Sequence, residues 1–132
     1  GGSLGKKMYL TVGDIYVNNE APRVDINDSL KQVIVEISSK RLGAAVVLDH
    51  DSIAGIITDG DLRRMLEKYD KIESLKAKDI MTRNPKTITG DKLAINAFNL
   101  MENHNITQLA VIEDGRYVGM VHLHDILKEG IV

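Results

Sequence analysis

Apolar residues along this chain fall into two patterns, and each pattern occurs twice. Leu30, Val33, Ile34 and Ile37 recur at i, i+3, i+4 and i+7, the spacing that gathers side chains on one face of a helix. Ala94, Ala97, Phe98 and Met101 make the same stripe. Asn27, Asp28 and Ser29 supply capping side chains ahead of the first helix, and Gly43 supplies a stop. Each helix is followed by an unbroken apolar run, Ala44 to Leu48 and then Gln108 to Ile112. Such runs read as strands buried on both faces. Each run turns back through two residues. Asp114-Gly115 is a strong hairpin signal, because both central positions of the favoured turn need positive φ. His50-Asp51 stands at the equivalent place, and both residue types tolerate that region. Returning strands are expected over Ser52 to Thr58 and Tyr117 to Val121, and closing helices over Gly60 to Lys68 and Leu123 to Glu129. Short extended stretches, Arg23 to Ile26 and Lys86 to Ile88, open the two sets, and the polar Tyr69 to Lys76 reads as a linker.

The duplication is visible in the residues themselves. Ala45-Val46-Val47-Leu48-Asp49 returns as Leu109-Ala110-Val111-Ile112-Glu113, 64 positions later. Gly55-Ile56-Ile57 returns as Gly119-Met120-Val121, and Asp61-Leu62 as Asp125-Ile126. Asp14-Ile15 pairs with Asp79-Ile80, and Pro22 with Pro85, the only two prolines. One such unit has too little core to stand alone. The expectation is an α/β fold of two pseudo-symmetric repeats, each strand-helix-strand-strand-helix, packed sheet to sheet. The cleft between the repeats is then the default binding site. The repeat sets boundaries at 13–74 and 75–132, with 1–12 as a leading junction.

Composition narrows the classes of function. The chain has 132 residues, 17 basic against 19 acidic, and no cysteine. Disulfides and thiolate metal sites are excluded. The net charge of −2 gives no bulk attraction to nucleic acid or to an anionic membrane. With no Trp, one Phe and four Tyr, the chain lacks stacking platforms for single strands. No apolar run reaches the roughly 20 residues that span a bilayer. Walker-type glycine loops, G-x-S-x-G and H-E-x-x-H are absent.

The element order, with Leu42-Gly43-Ala44-Ala45-Val46-Val47-Leu48-Asp49 and Gly55-Ile56-Ile57-Thr58-Asp59-Gly60-Asp61-Leu62-Arg63, resembles the CBS domain. Ile106 to Glu113 and Gly119 to Leu127 resemble a second copy. The resemblance implies a regulatory pair that binds adenosine nucleotides and self-associates, giving a homo-oligomer. A narrower resemblance rests on Ile57 to Arg64, Met81-Thr82-Arg83-Asn84-Pro85 and His122 to Leu127. These strings are similar to the C-terminal half of arabinose-5-phosphate isomerases, which lead towards Kdo in lipopolysaccharide or capsule. Gly1 to Lys7 resembles the junction after that family's sugar-isomerase (SIS) domain. The resemblance implies a cytoplasmic parent enzyme whose catalytic SIS domain lies outside this chain. The chain itself is then not an enzyme and needs no cofactor.

Thr58 and Asp61 stand where a strand ends and a helix opens. In the CBS family the matching Ser/Thr and Asp hold phosphate and ribose. A carboxylate can accept from both hydroxyls of a ribose diol, and a hydroxyl with helix-start N–H groups can hold a phosphate. Thr-x-x-Asp is also a capping box, and one residue can serve both ends. The second copy keeps Asp125 and has His122 in place of Thr58. His122, His124 and Asp125 are too closely spaced, with no third His, to make a metal site. Arg63 and Arg83 are candidate phosphate partners, whereas Arg64 reads as a solvated face pairing with Asp59 or Glu67. The expected ligand is an adenosine nucleotide or an end product such as CMP-Kdo. The competing reading is a structural oligomerisation module with no ligand.

Overall fold

A computed structural model describes residues 7–132; the Gly1 to Lys6 part of the expected junction lies outside the described residues. The elements are α1 (Val12–Tyr16), β1 (Arg23–Asp25), α2 (Leu30–Lys40), β2 (Ala44–Asp49), β3 (Ser52–Thr58), α3 (Asp59–Lys68), α4 (Ala77–Ile80), β4 (Thr82–Arg83), β5 (Thr87–Thr89), α5 (Ala94–His104), β6 (Gln108–Glu113), β7 (Arg116–His122) and α6 (Leu123–Leu127). The fold is α/β with two sheets, ordered β1-β2-β3-β4 and β5-β6-β7. Strand-helix-strand-strand-helix occurs twice, as the apolar pattern predicts.

The sheets repeat each other in register. β1 runs parallel to β2 with Arg23 opposite Val46, and β5 runs parallel to β6 with Thr87 opposite Ala110. Both hairpins are antiparallel, and each carries one irregularity, at Val47/Leu48 and at Val111/Ile112. Asp114 and Gly115 take the positive φ that their turn requires (51° and 76°); in the first hairpin His50 takes it (57°). The helices α2 and α5 end on left-handed residues, Arg41 and Asn105. Ser29 caps α2 through a capping box with Gln32, as its place in the sequence suggests.

One expectation is corrected on α2. Leu30, Val33 and Ile37 are buried, but Ile34 is 40% exposed. The buried stripe is therefore narrower than the four-residue pattern. On α5, Ala94, Ala97 and Met101 are buried and Phe98 packs partly buried against them.

The compact units in space differ from the repeats in sequence. One unit is Ala21–Pro85, and the other joins the chain up to Glu20 with Lys86–Val132. Each repeat thus lends its leading arm to the other repeat's unit. In the Ala21–Pro85 unit, Ala77 and Lys78 of the arm donate to the carbonyls of Asp28 and Ile26, and Ser29 bridges to Lys76. In the second unit, Val12 and Gly13 donate to Lys92 and Gly90, and Thr11 bridges to Leu93. These are the same bonds one repeat apart. Each arm also needs a glycine opposite it. A Cβ on Gly55 would stand 2.6 Å from the Thr82 carbonyl oxygen, and one on Gly119 would stand 2.5 Å from the Tyr16 ring. Each unit has its own apolar core, one around Val33, Val47 and Ile57, the other around Met101, Leu109 and Val121.

Candidate ligand-binding site

Thr58 ends β3 and caps α3 from an extended backbone (φ −105°, ψ 169°), so its side chain folds over the helix start. The Asp61 N–H donates to Thr58 Oγ1 at 3.3 Å, and the Thr58 N–H donates back to Asp61 Oδ2 at 2.9 Å. This reciprocal pair is a capping box. Thr58 Oγ1 also lies 3.1 Å from Oδ2. Oδ1 is held from two other directions, by Arg64 Nη2 at 2.7 Å and Thr82 Oγ1 at 3.0 Å. Asp61 is 7% exposed. A carboxylate taken from water needs such donors, because an unpaired buried charge is strongly destabilising.

His122 holds the matching position in the second unit, capping α6 from an extended backbone (φ −108°, ψ 150°). Its Nδ1 accepts the His124 N–H at 3.0 Å. An accepting Nδ1 carries a lone pair, so the ring is neutral with its proton on Nε2. The His122 N–H donates to Asp125 Oδ2 at 2.8 Å. Asn19 Nδ2 donates to the same oxygen at 2.8 Å and to the Met120 carbonyl at 2.9 Å. Lys128 Nζ lies 4.0 Å from Oδ1. The rings of His122 and His124 stack at 4.8 Å, within 10° of parallel. Burial holds the His122 pKa below its ordinary value; His124 acts in the same direction and Asp125 opposes both. Asp61 and Asp125 are the two buried charged side chains among the described residues.

The six predicted site residues thus divide. Thr58 meets Asp61, and His122 meets Asp125, each pair at a helix start. Arg63 is exposed on α3, and Arg83 is exposed on β4 opposite Gly55. Neither makes an ion pair with Asp61 or Asp125. Arg64, expected against Asp59 or Glu67, instead pairs with Asp61, because three residues along a helix bring the two side chains together. Sequence reasoning missed Thr82 and Asn19. A signal was available: they lie 63 positions apart, as Pro22 and Pro85 do, so each is the same point of an exchanged arm. Both donate to the buried aspartate of the unit they enter.

Among the described residues two surface crevices lie elsewhere, and none of the six residues lines either. One, of about 520 Å³, runs along α2 past Ile34, Val35 and Ile72. The other, of about 440 Å³, lies between β5 and α5. No helix among the described residues is long and apolar enough to cross a membrane.

Two sheets of this topology, each bearing a capped, buried aspartate where its hairpin meets a helix, define a duplicated α/β fold. Residues 12–68 and 77–131 match the model of the CBS domain family, and the chain belongs to that family. More particularly, the whole chain aligns with "Arabinose 5-phosphate isomerase KdsD" of Yersinia pestis at 40% identity over 134 positions. The chain spans 41% of that protein's length, about two-fifths. In fold it is similar to the crystal structure of the CBS domain NE2398, with a TM-score of 0.84 at 21% identity over 92% of this chain and 98% of that one. It is also similar to the CBS domain pair of protein MJ0100, solved in complex with 5-methylthioadenosine and S-adenosyl-L-methionine. There the TM-score is 0.78 at 26% identity, over 91% of this chain and 94% of the other.

Proposed function

We propose that this CBS pair is the ligand-sensing, regulatory part of a cytoplasmic arabinose 5-phosphate isomerase, and that it binds a ribose-and-phosphate ligand at its two aspartate-bearing helix starts. The observation that carries the reading is the similarity of the whole chain to about two-fifths of such an isomerase, joined to a buried carboxylate kept at the same point of both repeats. The adenosine compounds bound by the MJ0100 pair support that ligand class. A nucleotide-sugar product of the pathway, such as CMP-Kdo, has the same ribose and phosphate.

The two oxygens of Asp61 divide the work. Oδ2 holds the cap and must stay with Thr58. Oδ1 is held by two exposed side chains, Arg64 and Thr82, which can leave it without breaking the helix start. Ribose hydroxyls would take their place on Oδ1. The displaced Arg64 then joins Arg63 and Arg83 as a cation available to phosphate. In the second unit the Nε2–H of neutral His122 replaces the threonine hydroxyl as a phosphate donor. The two sites therefore differ in strength. A structural reading without ligand draws on one observation: every strong acceptor position of Asp61 is already filled from within the chain.

Calorimetry with adenosine nucleotides and CMP-sugars tests the reading. Asp61→Asn should weaken binding by one to two orders of magnitude, since hydrogen bonds involving a charged group contribute roughly 1.5–3 kcal/mol. Thr58→Val removes the hydroxyl at similar volume and tests the second contact. A ligand at 100 times its dissociation constant should add roughly 2.7 kcal/mol of stability to the parent chain. Unchanged affinity in both variants, with only their melting temperatures lowered, would leave the helix starts purely structural.

A further inference from the structure

The crevice between β5 and α5 has a counterpart in the Ala21–Pro85 unit that the chain fills for itself. There the edge strand β1 turns the N–H of Arg23 away from the sheet, and Glu36 Oε2 on α2 accepts it at 2.9 Å. The carboxylate is steadied by Lys40, whose Nζ lies 3.8 Å away. In the other unit β5 has the same register and the same buried central residue, Ile88 in place of Val24. The Thr87 N–H therefore faces outward as that of Arg23 does. Leu100 occupies the position of Glu36, 64 residues on, and an alkyl side chain cannot accept it. What stands there instead is an open crevice of about 440 Å³. Its floor is Ile88, Leu100 and Ile112, and its rim is Thr87, Thr89, Lys92 and Asn96.

We infer that this crevice is a second ligand site, separate from the helix starts, and that it takes a small carboxylate with an aliphatic tail. The carboxylate occupies the place that Glu36 holds in the other unit, accepting the Thr87 N–H. Lys92 supplies the charge that Lys40 supplies to Glu36, and the Asn96 amide is a further donor on the rim. The tail lies on Ile88, Leu100 and Ile112, where removing its methylenes from water favours binding. The commitment to a carboxylate comes from Glu36, which shows what this strand edge holds when the acceptor is tethered. The commitment to an aliphatic tail comes from the apolar floor beneath it.

The experiment is titration of the chain with hexanoate, followed by amide nitrogen–proton correlation NMR, with hexanol as the uncharged control. Saturable shifts of the Thr87 and Thr89 amides are expected with hexanoate, and at least about tenfold weaker binding with hexanol, a difference of about 1.4 kcal/mol. Leu100→Glu installs the tethered carboxylate; it should move the Thr87 amide by itself and abolish the response to hexanoate. Lys92→Gln, at an exposed position, should weaken hexanoate severalfold. Glu36→Leu should open the first unit and make the Arg23 amide responsive. Thr87 and Thr89 amides that stay still up to tens of millimolar hexanoate, or that respond undiminished in folded Leu100→Glu protein, would overturn the site. Nucleotide binding measured on the same samples separates this outcome from that of the proposed regulatory site.

Discussion

Asp61 and Asp125 are one residue of the repeat in two settings. Both are buried, both accept the N–H of their own helix cap, and both are reached by a donor from the other repeat's arm. Around that shared frame the chemistry diverges. Asp61 accepts from four donor groups, one a guanidinium, and its arm joins the sheet by backbone pairing through β4. Asp125 accepts from two, with a loose ammonium at 4.0 Å, and its arm is tied to the β7 hairpin strand by the Asn19 amide. The duplication therefore preserves the placement of the carboxylate, while the number and kind of its donors are free to change. The Ala21–Pro85 unit holds its charge with four donors; the other holds its charge with two, beside a helix cap whose imidazole can titrate.

Removing the carboxylates should give the largest contrast. Asp61→Ala deletes a cap acceptor and the bonds from Thr58, Arg64 and Thr82, and should cost about 3 kcal/mol. Asp125→Ala loses fewer bonds and should cost about 2 kcal/mol. Urea unfolding of the two variants reads the difference directly. Equal losses would mean that the extra donors on Asp61 contribute nothing net.

The arms offer a second contrast, of about 1–3 kcal/mol for each overpacked site. Gly55→Ala drives a methyl against the Thr82 carbonyl, which is backbone and cannot step aside. Gly119→Ala meets the Tyr16 ring, a side chain. In a Tyr16→Ala background the Gly119→Ala penalty should largely vanish. A Met81→Ala background removes the other neighbour of that methyl, the Met81 side chain 2.9 Å away, yet the Gly55→Ala penalty should persist there because the Thr82 oxygen remains. Double-mutant cycles measured by thermal or urea unfolding separate the two cases.

How much of this was legible beforehand follows from the length scale of each signal. The helices α2 and α5 and the two hairpins span enough residues for a period to show, and their order could be read from the apolar pattern. α1 and α4 have five and four residues, too few for any periodicity, and β4 has two. Their capping residues were nonetheless on view: Thr11 and Asp14 form the same box as Thr58 and Asp61, and Thr11 holds the Asp14 carboxyl below its usual range. The exchange of arms was invisible, because either partner would bury the same Val12 or Ala77. Of the site, Thr58, Asp61, His122 and Asp125 were found because a repeat and a box coincide on them. Asn19 and Thr82 were missed because their partners lie 106 and 21 residues away. No local spacing encodes such contacts.

The smallest effect sharpens the contrast between the two caps. Thr58 has no proton to gain, so its cap is indifferent to pH near neutrality. His122 caps with the Nδ1 lone pair, and protonation turns that acceptor into a donor facing the His124 N–H. Every charged group facing the ring enters the balance: His124 stacked on it disfavours a second charge, and Asp125, with Lys128 beyond it, favours one only in part. With burial added, the pKa in the folded state lies below the ordinary 6.5. The unfolded chain then binds more protons than the folded one in the window below 6.5, so stability falls as pH drops through it and is regained above it. His122→Thr should remove this component, giving a shallower dependence of unfolding free energy on pH between about 5 and 7. Unfolding in urea at several pH values, parent against variant, measures it; parallel curves would mean that the imidazole is not the titrating cap.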